Sequence, residues 1–251
     1  MTSRPMLLSL LAAFAVATAA CTTGGGASPR AGTPTPLASQ PAASQPVSSQ
    51  PATSPGASAP AGGIPEACPD APPPALPSGQ SRVVDIETTL GQIQITVEAD
   101  LGPNAVGNFV ALVECGYYNG VVFHRLVPGF VIQGGDGQYG RAPNVETSRI
   151  GSGGPGYGIT DDPINIRYER GVVAMARTPQ PNSQGSQFFI ILDNSAEQAL
   201  VSAQFPYAIL GRVTRGMETV DAIAAMPNAS QQAGNAALQP VAMDSVSIER
   251  P

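Results

Sequence analysis

Residues 82–251 predict a single all-β barrel or sandwich with helical plugs, about 170 residues long. Three observations carry this. Short runs rich in Val, Ile, Phe and Thr recur between Gly and Pro punctuation. Only two stretches place apolar residues at helical spacing. The composition also changes near Arg82, from a Pro/Ser/Ala-rich stretch to one with β-forming runs.

Taken in order, VVDIETTLGQIQITVE (83–98) reads as two strands around Thr-Leu-Gly, a hairpin signal. In PNAVGNFVALVE (103–114), Val106, Phe109, Val110 and Val113 lie on one helical face, and Gly116 ends the helix. Residues 121–123 and 130–133 read as strands split by the Pro128-Gly129 turn. Residues 171–176 and 187–192 add two more strands, and Ala208 to Val213 another. Glu218 to Met226 is a short helix stopped by Pro227, and Val246 to Glu249 a final strand.

The net charge is −6, which disfavours nucleic acid as a partner, because phosphate binding needs a basic surface. All 12 basic residues are arginine. Without lysine there is no Schiff-base chemistry and no phosphate-loop lysine. One histidine and three unclustered cysteines offer no zinc site, so no metal and no cofactor are expected. Gly151-Ser-Gly-Gly-Pro-Gly156 fits the dinucleotide spacing G-x-G-x-x-G, but Pro155, Gly158 and Asp162-Pro163 forbid the helix that must follow. An irregular loop is the better reading. His124 has no nucleophile elbow to serve and reads as a structural residue, facing opposite to Phe123 and Arg125 on a regular strand. Asn228-Ala229-Ser230 is a glycosylation sequon by pattern only.

The N-terminus reads as an address. Arg4 precedes an apolar stretch, Met6 to Ala20, too short to span a bilayer, which ends at Thr18-Ala19-Ala20-Cys21. Residues 1–21 resemble a bacterial lipoprotein signal, with Cys21 as the lipidated residue; an ordinary secretory peptide is the alternative. Either places the protein outside the cytoplasm, as a lipid-anchored membrane protein or a secreted one. Residues 22–81 form a Pro/Ser/Ala-rich linker in which Ser-Gln-Pro recurs at 39–41, 44–46 and 49–51. Such a segment has little to bury and would act as a tether with a reach on the order of 40 Å. In that compartment Cys68 and Cys115 could pair, which would clip the linker's end to the domain, or remain two buried thiols.

FHRLVPGFVIQGGD (123–136) resembles the cyclophilin family of peptidyl-prolyl isomerases. GVVAMARTPQPNSQGSQFFIIL (171–192) agrees, as do Asn108-Phe109, Gly116-Tyr117-Tyr118, Leu210-Gly211-Arg212-Val213 and Gly216-Met217, all in the family's order over residues 82–251. The resemblance implies a closed eight-stranded antiparallel β-barrel capped by two helices. It implies a monomeric prolyl isomerase that acts on proline-containing polypeptides without a cofactor.

Taken alone, Phe130, Val131 and Phe189 read as core, Gln133 and Gln187 as satisfied polar groups, and Arg125 as a surface charge. The resemblance implies a site instead. Arg125 matches the catalytic arginine, supported by Gln133. Phe130, Val131 and Phe189 match the proline cup, and Ala176 and Arg177 the segment that binds peptide backbone. Gln187 matches the second block's glutamine, Gly151 a rim glycine, and Tyr207 stands where the family has a pocket histidine. The sequence departs from the pattern at Val131, usually methionine, at Arg177, commonly asparagine, and in lacking tryptophan. The segment from Asp136 to Gly151 is also longer than usual. The implied chemistry makes and breaks no bond. Rotation about X–Pro faces a barrier of roughly 18–20 kcal/mol, and an always-charged donor near the prolyl nitrogen favours the twisted amide over the planar one.

Overall fold

The computed structural model describes residues 63–203 and 206–249. Cys21, the signal-like stretch and the linker up to residue 62 lie outside the described residues.

The chain opens with the expected hairpin. Strands β1 (Ser81–Thr88) and β2 (Gly91–Glu98) pair along their whole length, from Ser81 opposite Glu98 to Thr88 opposite Gly91. Helix α1 (Pro103–Glu114) starts on a proline whose missing N–H would have had no helical partner. Its N-cap, Gly102, has no side chain to cap the helix, and Asp162 does so from a distant loop. The Asp162 carboxylate accepts from the Asn104 and Ala105 N–H groups at 3.2 and 2.8 Å. Next come β3 (Val122–Val127), β4 (Val131–Gly134), β5 (Val172–Met175) and β6 (Phe188–Ile191). Helix α2 (Ala196–Val201), β7 (Ile209–Arg215) and helix α3 (Met217–Ala224) follow. A 3₁₀ turn (Gln231–Ala233) leads to β8 (Ala236–Ala242) and β9 (Ser245–Ile248).

The expected closed eight-stranded barrel with two helices needs correction. The strands form one curled antiparallel sheet of nine, in the order β8-β3-β4-β6-β5-β7-β2-β1-β9, with no ladder between its two edges. The described residues contain three α-helices. The extra strand is β8, which Pro240 hides from a strand reading. Proline cannot donate to a ladder, and β8 is an edge strand where that loss is tolerated. Helix α2 has six residues and only Ala196 and Leu200 buried, too short for a periodic signal. The edge strands β8 and β9 are consecutive in the chain. Met243 N–H bonds the Val121 carbonyl and Asp244 N–H the Glu87 carbonyl, so these two residues step from one edge to the other. The three Cα steps from Ala242 to Ser245 span at most roughly 11 Å, so the sheet has to curl.

The central strands are apolar on both faces, which is why VVAM and FFII are buried throughout. Ile132, Val173, Met175, Phe188 and Ile190 point into the main core with α1. Val131, Val172, Ala174, Phe189 and Ile191 face the other way, into a smaller core covered by Tyr168 and by Ala196 and Leu200 of α2.

Packing also begins earlier than the composition change at Arg82. Ile64, Cys68 and Leu76 lie against the main core, and Leu76 N–H bonds the Pro103 carbonyl at 3.0 Å. This strap crosses α1 at Gly107. A Cβ there would stand 2.4 Å from the Pro74 carbonyl oxygen and 2.8 Å from Leu76 N. Cys68 and Cys115 are joined as a disulfide across a sequence separation of 47, at the C-terminal end of α1. Gly107→Val should therefore lift the strap, seen as faster hydrogen exchange at residues 63–76. Cys115→Ser should do the same and lower stability by up to about 4 kcal/mol, the chain-entropy value for such a loop, measured by denaturant unfolding.

Candidate functional site

The site lies on the outer face of the sheet, and a bulge creates it. Phe123 pairs with Gly134 and Arg125 with Gln133, so β3 spends two residues against one of β4. His124 is the extra residue. This corrects the regular alternation expected for 122–126. Phe123 stays in the main core, while Arg125 emerges beside Gln133 on the outer face. Bulges commonly re-aim one side chain in this way.

The ladders then set a row across five strands. Arg125 lies opposite Gln133, Gln133 opposite Phe189, Phe189 opposite Ala174, and Ala174 opposite Ile209. Cross-strand partners share a face, so polar and apolar groups meet along one line. A cavity of about 240 Å³ opens over it, lined by Arg125, Phe130, Val131, Gln133, Ala176, Arg177, Phe189, Leu200 and Tyr207. A groove of about 720 Å³ adjoins it, sharing Gln133, Ala176 and Arg177 and adding Gly151 and Gln187. The glycine-rich segment 151–158 is an irregular loop along this groove, with neither the strand nor the helix that dinucleotide binding needs. The structure thus gathers Arg125, Phe130, Val131, Gln133, Ala176, Arg177, Phe189 and Tyr207 around the cavity, with Gly151 and Gln187 in the groove. Cys68 and Cys115 line neither, and Cys21 is outside the described residues. Leu200 was missed: its only signal is the Ala196/Leu200 spacing in α2.

The polar groups are connected. Arg125 Nη1 donates to Gln133 Oε1 at 3.2 Å, and Gln133 Nε2 to Gln187 Oε1 at 3.0 Å. Gln187 Nε2 donates to the Gly151 and Gly153 carbonyls at 2.9 and 2.8 Å. Burial pulls the Arg125 pKa below its ordinary value, while Tyr207 pushes it up. Arginine is the most basic side chain and is not deprotonated in proteins, so Arg125 is a charged donor. The apolar wall is held as firmly. Phe189 and Tyr207 meet edge to face with centroids 5.4 Å apart. The Tyr168 hydroxyl accepts from Tyr207 N–H and donates to the Tyr207 carbonyl, both at 2.9 Å.

A model of the cyclophilin type peptidyl-prolyl cis-trans isomerase family matches residues 83–248. The chain belongs to the cyclophilin family. A probable peptidyl-prolyl cis-trans isomerase of Brucella abortus (strain 2308) is 39% identical over 137 residues, which are 53% of this chain and 66% of that protein. A peptidyl-prolyl cis-trans isomerase of Acinetobacter baylyi is 36% identical over 172 residues, 67% of this chain and 86% of the relative. Among solved structures, a Cryptosporidium parvum cyclophilin type peptidyl-prolyl cis-trans isomerase superposes with a TM-score of 0.57 at 27% identity, over 68% of this chain and 99% of the other. A second crystal structure of that protein, in the presence of the dipeptide Ala-Pro, gives a TM-score of 0.56 at 28% identity.

Within this cyclophilin site, Arg177 has a role the sequence did not suggest. Its side chain is only 2% exposed and pairs with Asp161 at 2.9 Å. It also donates to the Gln180 and Pro206 carbonyls at 2.6 and 3.1 Å. The guanidinium fastens three loops of the cyclophilin domain to one another. The sequon at Asn228 is likewise committed, because its side-chain amide donates to the Leu126 carbonyl at 2.7 Å.

His124 is buried, and neither ring nitrogen makes a hydrogen bond of good geometry. Its pKa is lowered to about 4. Desolvation is the main cause; Asp136 opposes it, Arg125 adds to it, and the Val122 backbone opposes it weakly. The folded state therefore holds His124 neutral at pH values where the unfolded chain, at the ordinary 6.5, binds a proton. Stability should fall as pH drops from 6.5 toward 4, by roughly 3 kcal/mol in total. Denaturant melts across that range should show this loss in the wild type and a much flatter profile in His124→Phe.

Proposed function

We propose that the domain is a peptidyl-prolyl cis-trans isomerase that assists the folding of proteins outside the cytoplasm. The carrying observation is Arg125, hydrogen-bonded to Gln133, at the edge of a cavity of about 240 Å³ that Phe130, Val131 and Phe189 also line. Phe130, Val131 and Phe189 form the cup for a proline ring. As the X–Pro amide twists, conjugation is lost and the nitrogen lone pair localises. Arg125 donates to that lone pair, and Gln133 keeps its guanidinium in place. The planar ground state offers the donor far less, so the interaction lowers the barrier rather than merely binding substrate. Ala176 and the groove beyond it would take the polypeptide on one side of the proline. In low-dielectric surroundings such a donor is worth more than in water.

Isomerisation of an Ala-Pro test peptide by the purified protein should be clearly faster than the uncatalysed event, which takes on the order of 10–100 s. Arg125→Ala should lose roughly 100- to 1,000-fold of that rate, as for removal of one preorganised donor, with its circular dichroism unchanged. The adjoining groove, about 720 Å³ in volume, favours a second reading, a peptide-binding chaperone or adaptor with incidental turnover. A folded wild type that binds proline peptides without accelerating isomerisation would decide for it.

The same proposal includes the address. Arg4, the apolar stretch and Cys21 support a lipid anchor, and the Cys68–Cys115 disulfide suits an oxidising compartment. Cells fed a clickable fatty acid should label the wild-type protein and not Cys21→Ala; equal labelling of both would reject the anchor at Cys21.

A further inference from the structure

We infer that Asp136 is the positioning residue of the site, acting on Arg125 through a relay of hydrogen bonds; this rests on the role proposed for Arg125. The Asp136 side chain is fully buried. Four backbone N–H groups converge on its carboxylate. Oδ1 accepts from Gln138 and Tyr139 at 3.1 and 2.9 Å. Oδ2 accepts from Gly151 and Gly153 at 2.7 and 3.0 Å. One carboxylate therefore pins both ends of the segment that loops out between β4 and the groove. Bonds to an ionised acceptor are about twice as strong as neutral ones.

The two glycines that Asp136 holds by their N–H groups are the two whose carbonyls hold Gln187. Gln187 in turn orients the Gln133 amide, whose oxygen is thereby aimed at Arg125. An amide reads the same in either orientation until a neighbour fixes it. The two carbonyls can only accept, so the Gln187 Nε2 faces them and its Oε1 faces Gln133. That leaves Gln133 Nε2 as donor and Gln133 Oε1 as the acceptor for the guanidinium. The donor-only guanidinium at the other end demands the same polarity, and the Asp136 carboxylate holds in place the loop that carries the two carbonyls. The geometry also admits no substitute at Gly153. A Cβ there would lie 2.4 Å from Asp136 Oδ1 and 2.8 Å from Gln138 Cβ.

A carboxylate with a purely structural role would lower stability when changed, yet leave Arg125 as ordered as before in the folded protein. A positioning residue would release it. Asp136→Asn keeps the shape but turns half the acceptor into a donor facing N–H groups. Gly153→Ala breaks the same link from the loop side, and Gln187→Leu cuts it at a partly exposed position, covering the case in which the first two fail to fold. The measurement is the NMR order of the Arg125 Nε–H, identified by its absence in Arg125→Lys, together with kcat and KM on an Ala-Pro peptide. Every folded variant should show a mobilised Arg125. Asp136→Asn and Gly153→Ala should lose on the order of 10- to 100-fold in kcat/KM, carried by kcat, as for misplaced catalytic groups. In an Arg125→Ala background Asp136→Asn should add no further loss. An unchanged Arg125 signal in the folded variants, or losses that multiply with Arg125→Ala, would overturn the relay. A wild type without isomerase activity would reject the proposed function, while the Arg125 signal would still decide the relay.

Discussion

Everything in this domain follows from a sheet whose central strands must be covered on both faces. The inner face closes against α1 and forms the main core. The outer face needs a second cover, and Tyr168 with α2 supply only part of it. The uncovered remainder is the site. An arginine at its edge is energetically awkward, because apolar neighbours penalise its charge, and its lowered pKa records that penalty. Gln133 offsets part of it. The same desolvation makes the guanidinium a stronger donor toward any group that reaches it, since charge is less screened there than in water.

Two kinds of support hold the geometry, and they divide by element. Arg125, Gln133, Phe189 and Ala174 sit on strands whose register is fixed by ladder bonds. Tyr207, Gly151 and Ala176 sit beyond strand ends and need other fastenings. The Tyr168 hydroxyl serves Tyr207, Asp136 serves Gly151, and the Arg177–Asp161 pair joins the loops near Ala176 and Pro206. An ion pair this buried contributes little net stability by itself, since desolvation cancels much of the attraction. Its effect here is specificity of loop position. Arginine where the family commonly has asparagine thus changes how the cavity wall is built, without placing a free cation in front of the substrate.

Legibility from sequence tracked the length scale of each interaction. The hairpin 83–98, helix α1 and the Gly/Pro punctuation are local, and they read correctly. The residues around the cavity were identifiable because two blocks resemble a family; taken alone, Phe189 and Val131 were indistinguishable from core. What escaped is non-local. Nothing in FHRLV signals a bulge, which exists only against a partner strand. Pro240 argues against a strand unless one knows that it lies at an edge. The strap at 63–76 is proline-rich and looked like linker, yet Ile64, Cys68 and Leu76 are enough to seat it. The ion pair of Arg177 was not legible either, because its partner, Asp161, is sixteen residues away on another loop.

Helix α1 is where these separate constraints meet. Its N-terminus is capped by Asp162, from the loop that carries Asp161, the partner of Arg177. Midway, Asn108 Nδ2 donates to the Gly185 carbonyl at 2.6 Å, and the Tyr157 hydroxyl donates to Asn108 Oδ1 at 2.9 Å; Gly185 and Tyr157 both line the groove. Immediately before it, Gly107 lets the strap cross, and the disulfide anchors the strap to the residue after the last turn. A helix that were only a plug for the core could tolerate small shifts. This one cannot, because Asn108 holds groove-lining residues while the C-terminal end of the helix carries the disulfide to the strap. The disulfide sits at the C-terminal end of α1, away from the Asp162 cap. The disulfide and the cap therefore protect different ends of one rigid element, and the groove depends on both.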